Sequence, residues 1–140
     1  MYATQSDIES RYPGELQQAG PWYTDGAIDT GAVALACQEA SGLIDSYLKA
    51  APYGFVVPWP APTPEWITNL AVDIALYQAT PTPMASQDDF KDRRRRYEDA
   101  LAFLEALAAG KVAPQGTNAL PSNYRMHVMS RQRVFYRGAL

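Results

Sequence analysis

Residues 86–110 read SQDDFKDRRRRYEDALAFLEALAAG, and the fold turns on how this stretch is divided. Ser86 supplies a capping hydroxyl, Asp88 and Asp89 fall in the favourable first turn, and Gly110 stands where a left-handed residue ends a helix. Between them Phe90, Tyr97, Leu101, Leu104 and Ala108 recur at steps of seven, four, three and four residues, widened by Phe103 and Leu107 into an apolar face. The spacing predicts one helix, the longest of the chain. Arg93 to Arg96 invite another reading, as a nucleic-acid patch. On a helix four successive side chains point around the whole circumference and form no single basic face. Asp89–Arg93, Asp92–Arg96, Arg94–Glu98 and Arg95–Asp99 are four-residue pairs, which favours salt bridging over a protein interface, and either over phosphate contact.

Working outward, TPTP (80–83) separates this helix from a third one, which starts at Thr63-Pro64-Glu65 with a hydroxyl cap, a proline and an acid. It is expected to run from Pro64 to about Ala79, with Trp66, Ile67, Leu70, Ala71, Ile74 and Tyr77 on one side. Before it, Gly54 and VVPWPAPTP (56–64) forbid regular structure, because proline removes a donor and fixes φ. A second helix, capped by Thr30 and reaching about Lys49, carries Val33, Ala36, Cys37, Ala40, Leu43, Ile44, Tyr47 and Leu48 in one stripe. Residues 13–29 read as a loop, and Thr4 or Ser6 caps a short first helix around Ile8 that Pro13-Gly14 stops. The expectation is an all-α protein. It is a small antiparallel bundle of three main helices plus a short N-terminal one, with an extended C-terminal arm.

The charge is unevenly spread. The 140 residues carry 15 acids against 12 bases, a net charge of −3. Residues 1–110 hold every acid and 7 of the bases (−8), while residues 111–140 hold Lys111, Arg125, Arg131, Arg133 and Arg137 and no acid (+5). The chain therefore divides into a helical body, 1–110, and a linker with a basic arm, 111–140. Within the arm, VMSRQRVFY could pair as a short strand. No apolar run approaches the ~20 residues of a membrane span, and the N-terminus has no apolar signal segment.

Polar residues on apolar faces mark the candidate interactions. Asp73 shares a face with Trp66, Leu70 and Tyr77, and Asp45 lies at the edge of the second helix's stripe. A partly buried carboxylate must find a partner or become protonated. A bridge from Asp73 to Arg93 or Arg96 would pin the third helix to the fourth. Catalytic readings do not prosper. Cys37 lies in an apolar stripe, His127 lies far off in the arm, and no metal, phosphate-loop or nucleophile motif is present. No catalytic residue, cofactor or metal is assigned, and the chain reads as a non-enzyme. Trp22, Trp59 and Trp66, with Tyr23 and Tyr53, form an aromatic group that caps the bundle or meets a partner, with a ligand pocket the lesser option.

The opening YATQSDIESRY, the segment AIDTGAVALACQEASGLIDSYLKA, the ITNLAVDIALYQ helix and RRRRYEDALAFLEALAAGKV together resemble the head–tail connector proteins of Mu-like tailed phages. The resemblance covers about residues 2–112, and RQRVFYRGAL is similar to the C-termini of that family. PYGFVVPWPAP (52–62) departs from it, since the family has a shorter turn there. The resemblance implies a structural virion protein at the head–tail junction, assembled in the host cytoplasm. Its subunits would form a homo-oligomeric ring on the portal, matching the portal's twelvefold symmetry, and receive a stopper or tail-completion protein. DNA would pass through the lumen without sequence readout. In such a ring the arm residues Arg125, Arg131, Arg133, Val134, Phe135, Tyr136 and Arg137 would form the interface, crossing to a neighbour or docking in the portal. The alternative is a small DNA-binding module using the basic arm, which the −8 of the body opposes. An enzyme or small-molecule binder comes third.

Overall fold

The computed structural model describes residues 1–18, 23–24, 26–78 and 87–113. They form α1 (Gln5–Arg11), α2 (Glu15–Gln18), β1 (Tyr23–Thr24), β2 (Ala27–Ile28), α3 (Thr30–Ala50), α4 (Glu65–Gln78) and α5 (Gln87–Ala108). The long helices α3, α4 and α5 pack against one another in all three pairings, and α1 lies on α3 and α4. The all-α bundle is thus the observed architecture. The proposed cap at Ser86 and the whole of the arm lie outside the described residues.

Helix ends follow local chemistry. Thr4 caps α1 in a capping box with Asp7, satisfying amides that would otherwise lack partners. The cap of α3 is Asp29 rather than Thr30: its carboxylate accepts from the Gly31 and Ala32 amides at 3.0 and 3.1 Å. At α4 the Ile67 and Thr68 amides bind the Pro64 carbonyl at 3.1 and 3.2 Å, so the proline sits just outside the helix. Gly110 ends α5 as expected, with φ +72°. The Gly110 amide reaches the Leu107 carbonyl and the Lys111 amide the Ala106 carbonyl, the paired bonds of a left-handed helix stop.

The segment expected as a loop, 13–29, is more ordered than its composition implies. It contains α2 and an antiparallel pair, Tyr23 opposite Ile28 and Thr24 opposite Ala27. Glycine and proline content reports where a chain turns, and four- and two-residue elements are too short to leave a periodic signal.

Two ring contacts fix the helix directions. Trp66, at the start of α4, meets Phe103, near the end of α5, with centroids 6.0 Å apart. Tyr77, at the end of α4, stacks at 4.2 Å on Tyr97, further back along α5. The two helices are therefore antiparallel. Pro52, just past α3, lies against Gly110, just past α5, so α3 and α5 end together where α4 begins.

The core comprises Val33, Cys37, Ala40, Ile44 and Leu48 of α3, Ile67, Ala71, Ile74 and Ala75 of α4, and Ala100, Leu104 and Leu107 of α5. On α5 the buried series runs Arg93, Ala100, Leu104, Leu107, with Tyr97 half-buried. The stripe is rotated from the expected one, which included Leu101 and Ala108. Arg93 takes a seam position and keeps only 2% of its surface exposed. Between α3 and α4, residues 51–60 alternate. Ala51, Tyr53, Phe55, Val57 and Trp59 face the bundle while Pro52, Gly54, Val56, Pro58 and Pro60 face solvent. The alternation is one of burial and not of a regular strand, since Gly54 takes φ +67°. The Val57–Pro58 bond is cis.

Candidate functional site

The chemistry of the described chain gathers where the N-terminal segment crosses the bundle. Ile8 and Leu16 bury their side chains, and three polar residues fasten the segment beside them. Tyr2 fastens it to α3: its amide donates to Ser41 Oγ at 2.9 Å, and Ser41 in turn donates to the Cys37 carbonyl at 2.7 Å. Its hydroxyl donates to Asp45 and accepts from the Trp59 amide. Burial and the Asp45 carboxylate push the Tyr2 phenol up to about 12, so it stays a donor at every ordinary pH. Two polar residues on the α3 stripe, Ser41 and Asp45, signal that a partner must exist. Nothing in the periodicity names it as Tyr2.

Tyr12, which closes α1, fastens the segment to α4. Its hydroxyl donates to Asp73 at 2.7 Å and accepts from Arg11 Nε at 3.1 Å. Arg11 Nε stands 3.8 Å from the same carboxylate. The Arg96 guanidinium lies 4.0 Å from the centre of the Tyr12 ring, a close cation–π distance. Burial pushes the Asp73 carboxyl above its ordinary value, while the Tyr12 hydrogen bond and the Arg11 and Arg96 charges pull against that rise.

Glu15, at the start of α2, fastens the segment to α5. It accepts from Arg93 Nε at 3.3 Å and from Arg96 Nη2 at 3.0 and 3.2 Å, and its carbonyl accepts from Arg93 Nη2 at 3.3 Å. This corrects the expected pairing. Arg93 and Arg96 do bridge elements, but to Glu15 and not to Asp73, whose partners are Tyr12 and Arg11. Sequence reasoning misses Glu15 because it sits in a segment whose composition reads as loop. Of the four intrahelical pairs, Arg94–Glu98 forms at 2.9 Å, and Arg96 Nε donates to the Asp92 carbonyl at 3.3 Å.

Next to Tyr2, whose hydroxyl holds the Trp59 amide, the bundle carries a group of aromatic rings. Tyr53, Phe55, Trp59, Trp66 and Phe103 make a chain of ring contacts with successive centroids 5.5, 5.3, 5.9 and 6.0 Å apart. The Tyr53 hydroxyl donates to the Val112 carbonyl at 2.8 Å, so ordered packing continues past residue 110 to the end of the described chain. Trp22 and the Tyr23 side chain lie outside the described residues.

Among the described residues neither group assembles a reacting centre. Cys37 is fully buried, and burial pushes its thiol up to about 11, away from a nucleophile's range. Among the described residues no three His, Cys, Asp or Glu are placed to hold a metal, and no helix is long and apolar enough to cross a membrane. The seven arm residues assigned to an interface, Arg125, Arg131, Arg133, Val134, Phe135, Tyr136 and Arg137, lie outside the described residues. What the geometry does provide is a helical body with a fastened N-terminal segment and a series of contacting rings.

Comparison with protein families gives a match of wide extent. The family described as Bacteriophage Mu, Gp36 matches residues 2–129, covering the whole helical body and Arg125 and leaving the last arginines and the Val134–Tyr136 run beyond it. Comparison with the curated proteins finds no match.

Proposed function

The chain belongs to the bacteriophage Mu Gp36 family, and from that premise we propose that it is a structural head–tail connector subunit. In this reading copies of the chain form a ring between the portal and the tail or stopper protein, and the chain performs no catalysis. The observation that carries it is the family match across residues 2–129. The body supports it: a compact helical unit whose polar residues are spent on fastening its own segments is built to hold shape under load. The division of charge supports it too, since an acidic body with a basic arm suits head-to-tail contacts that close by rotation.

The test is genetic and visual. Interrupting the gene in the phage or prophage that encodes it should leave DNA-filled heads and free tails that do not join. Purified particles of the parent should contain the chain at the vertex between them. Normal particles from the interrupted phage, or particles free of the chain, would overturn the reading. Deleting residues 121–140 should leave the helical body folded and abolish assembly on the portal. Tight, salt-sensitive binding of the full chain to duplex DNA, lost in that deletion, would favour a DNA-binding module instead.

A further inference from the structure

The group of aromatic rings is incompletely covered. Tyr53, Phe55, Trp59, Trp66 and Phe103 are each only half-buried, and together they form a continuous strip across the end of α3, the start of α4 and the end of α5. Two exposed carboxylates stand near it on the helices that carry its rings: Glu65, next to Trp66 in α4, and Asp99, one turn before Phe103 in α5. Neither has an ion-pair partner among the described residues.

The chain leaves the described residues at this same place. Val112 is held by Tyr53, and Ala113 is followed by 27 residues that contain Arg125, Arg131, Arg133 and Arg137 and no acid. We propose that residues 125–137 fold back onto the aromatic strip of their own chain. The arginines meet Glu65 and Asp99, and Phe135 and Tyr136 extend the ring series. Arginine suits this surface because its planar cation both pairs with carboxylates and stacks on ring faces. The same chain already uses that combination where Arg96 lies over Tyr12 and reaches Glu15.

Geometry favours the chain's own arm over that of a second copy. Residues 114–124 form a tether of 11 residues, which spans up to about 40 Å when extended, ample for the strip beside its root. A tether of that length presents the arm at an effective concentration on the order of millimolar, above that of a neighbour in dilute solution. The inference concerns the chain free in dilute solution, before the head-to-tail contacts of the connector reading form. Its test reads that free chain, so the two can fail separately.

The test uses the full chain carrying a nitroxide at Ser130→Cys, with buried Cys37 left in place. Paramagnetic broadening should fall on the backbone amides of Trp66 and of residues 102–106 and spare Ile8 and Arg93. It should persist on dilution and be absent when isotope-labelled chain without nitroxide is mixed with unlabelled chain carrying it. Arg131→Glu with Arg133→Glu should remove most of the broadening, and so should high salt. Broadening confined to residues after 110, or spread evenly over the body, would overturn the proposal. Broadening only in the mixed sample would overturn it as well, assigning the strip to a second copy.

Discussion

The Tyr12 hydroxyl donates to the Asp73 carboxylate at 2.7 Å across 61 positions of sequence, joining the end of α1 to the face of α4. Asp73 keeps 13% of its side-chain surface, so it depends on this donor and on Arg11. Tyr12→Phe removes the donor without opening a cavity. It should destabilise the chain by about 1.5–3 kcal/mol, the range for a hydrogen bond to a charged group, read from chemical denaturation.

The same carboxylate sets a pH dependence. Its folded-state value is raised, chiefly by burial, so the folded chain holds that proton more tightly than the unfolded one. The ionised carboxylate therefore costs stability at neutral pH, and the cost is relieved as pH falls through the folded value toward the ordinary one near 4. Relative to the parent, Asp73→Asn should lose this gain on acidification. Denaturation midpoints for the two chains that run parallel between neutral and about pH 4 would contradict the assignment.

Glu15 and Arg93 should respond unequally. Glu15→Ala removes the carboxylate that Arg93, 2% exposed, shares with Arg96, while the residue-15 carbonyl still accepts from Arg93. The expected loss is about 2–4 kcal/mol, moderated because a quarter of Glu15 meets solvent. Arg93→Met leaves Glu15 still paired with Arg96 at 3.0 Å and should cost distinctly less. Equal losses in thermal or denaturant melts would mean that the two residues share one inseparable contact.

Two glycines should move stability in opposite directions. Gly110 has φ +72°, and a Cβ there would lie 3.0 Å from Pro52 Cγ. Gly110→Ala should cost about 1–2 kcal/mol. Gly42 sits mid-helix in α3, where an added Cβ would meet nothing within 4 Å, so Gly42→Ala should stabilise by about 0.5–1 kcal/mol. Thermal melts of both variants give the signs directly.

Cys37 offers a probe of opening. With the thiol fully buried and pushed up to about 11, its alkylation at mildly alkaline pH should be slower than that of a free thiol by roughly a hundredfold or more. Denaturant should restore the ordinary rate. Fast labelling of the folded chain would mean that α3 detaches readily from α4.

The long helices are legible in the sequence because each repeats its apolar pattern over several turns and carries its own stop signals. Gly110 is the clearest case: the glycine marks the end of α5, and its left-handed φ is what the structure has. The polar fastenings are legible only by halves. Asp73, Arg93 and Arg96 announce themselves as charges on apolar faces, while Glu15 and Tyr12 give no local sign because their roles arise from contacts 61 or more residues away. An Asp73–arginine pairing is the economical solution with the helices alone in view. It gives way because a further element, α2, brings a better-placed carboxylate to the two arginines.

The alternation between Ala51 and Trp59 has a consequence for how this part of the chain can change. Its rings reach the bundle at alternate positions, and a one-residue insertion after Pro52 would displace Tyr53, Phe55, Val57 and Trp59 from it. The alternation is not that of a regular strand, so a second inserted residue does not by itself restore them. Gly54, at φ +67°, turns the chain between the rings, and it must stay between Tyr53 and Phe55 for them to reach the bundle.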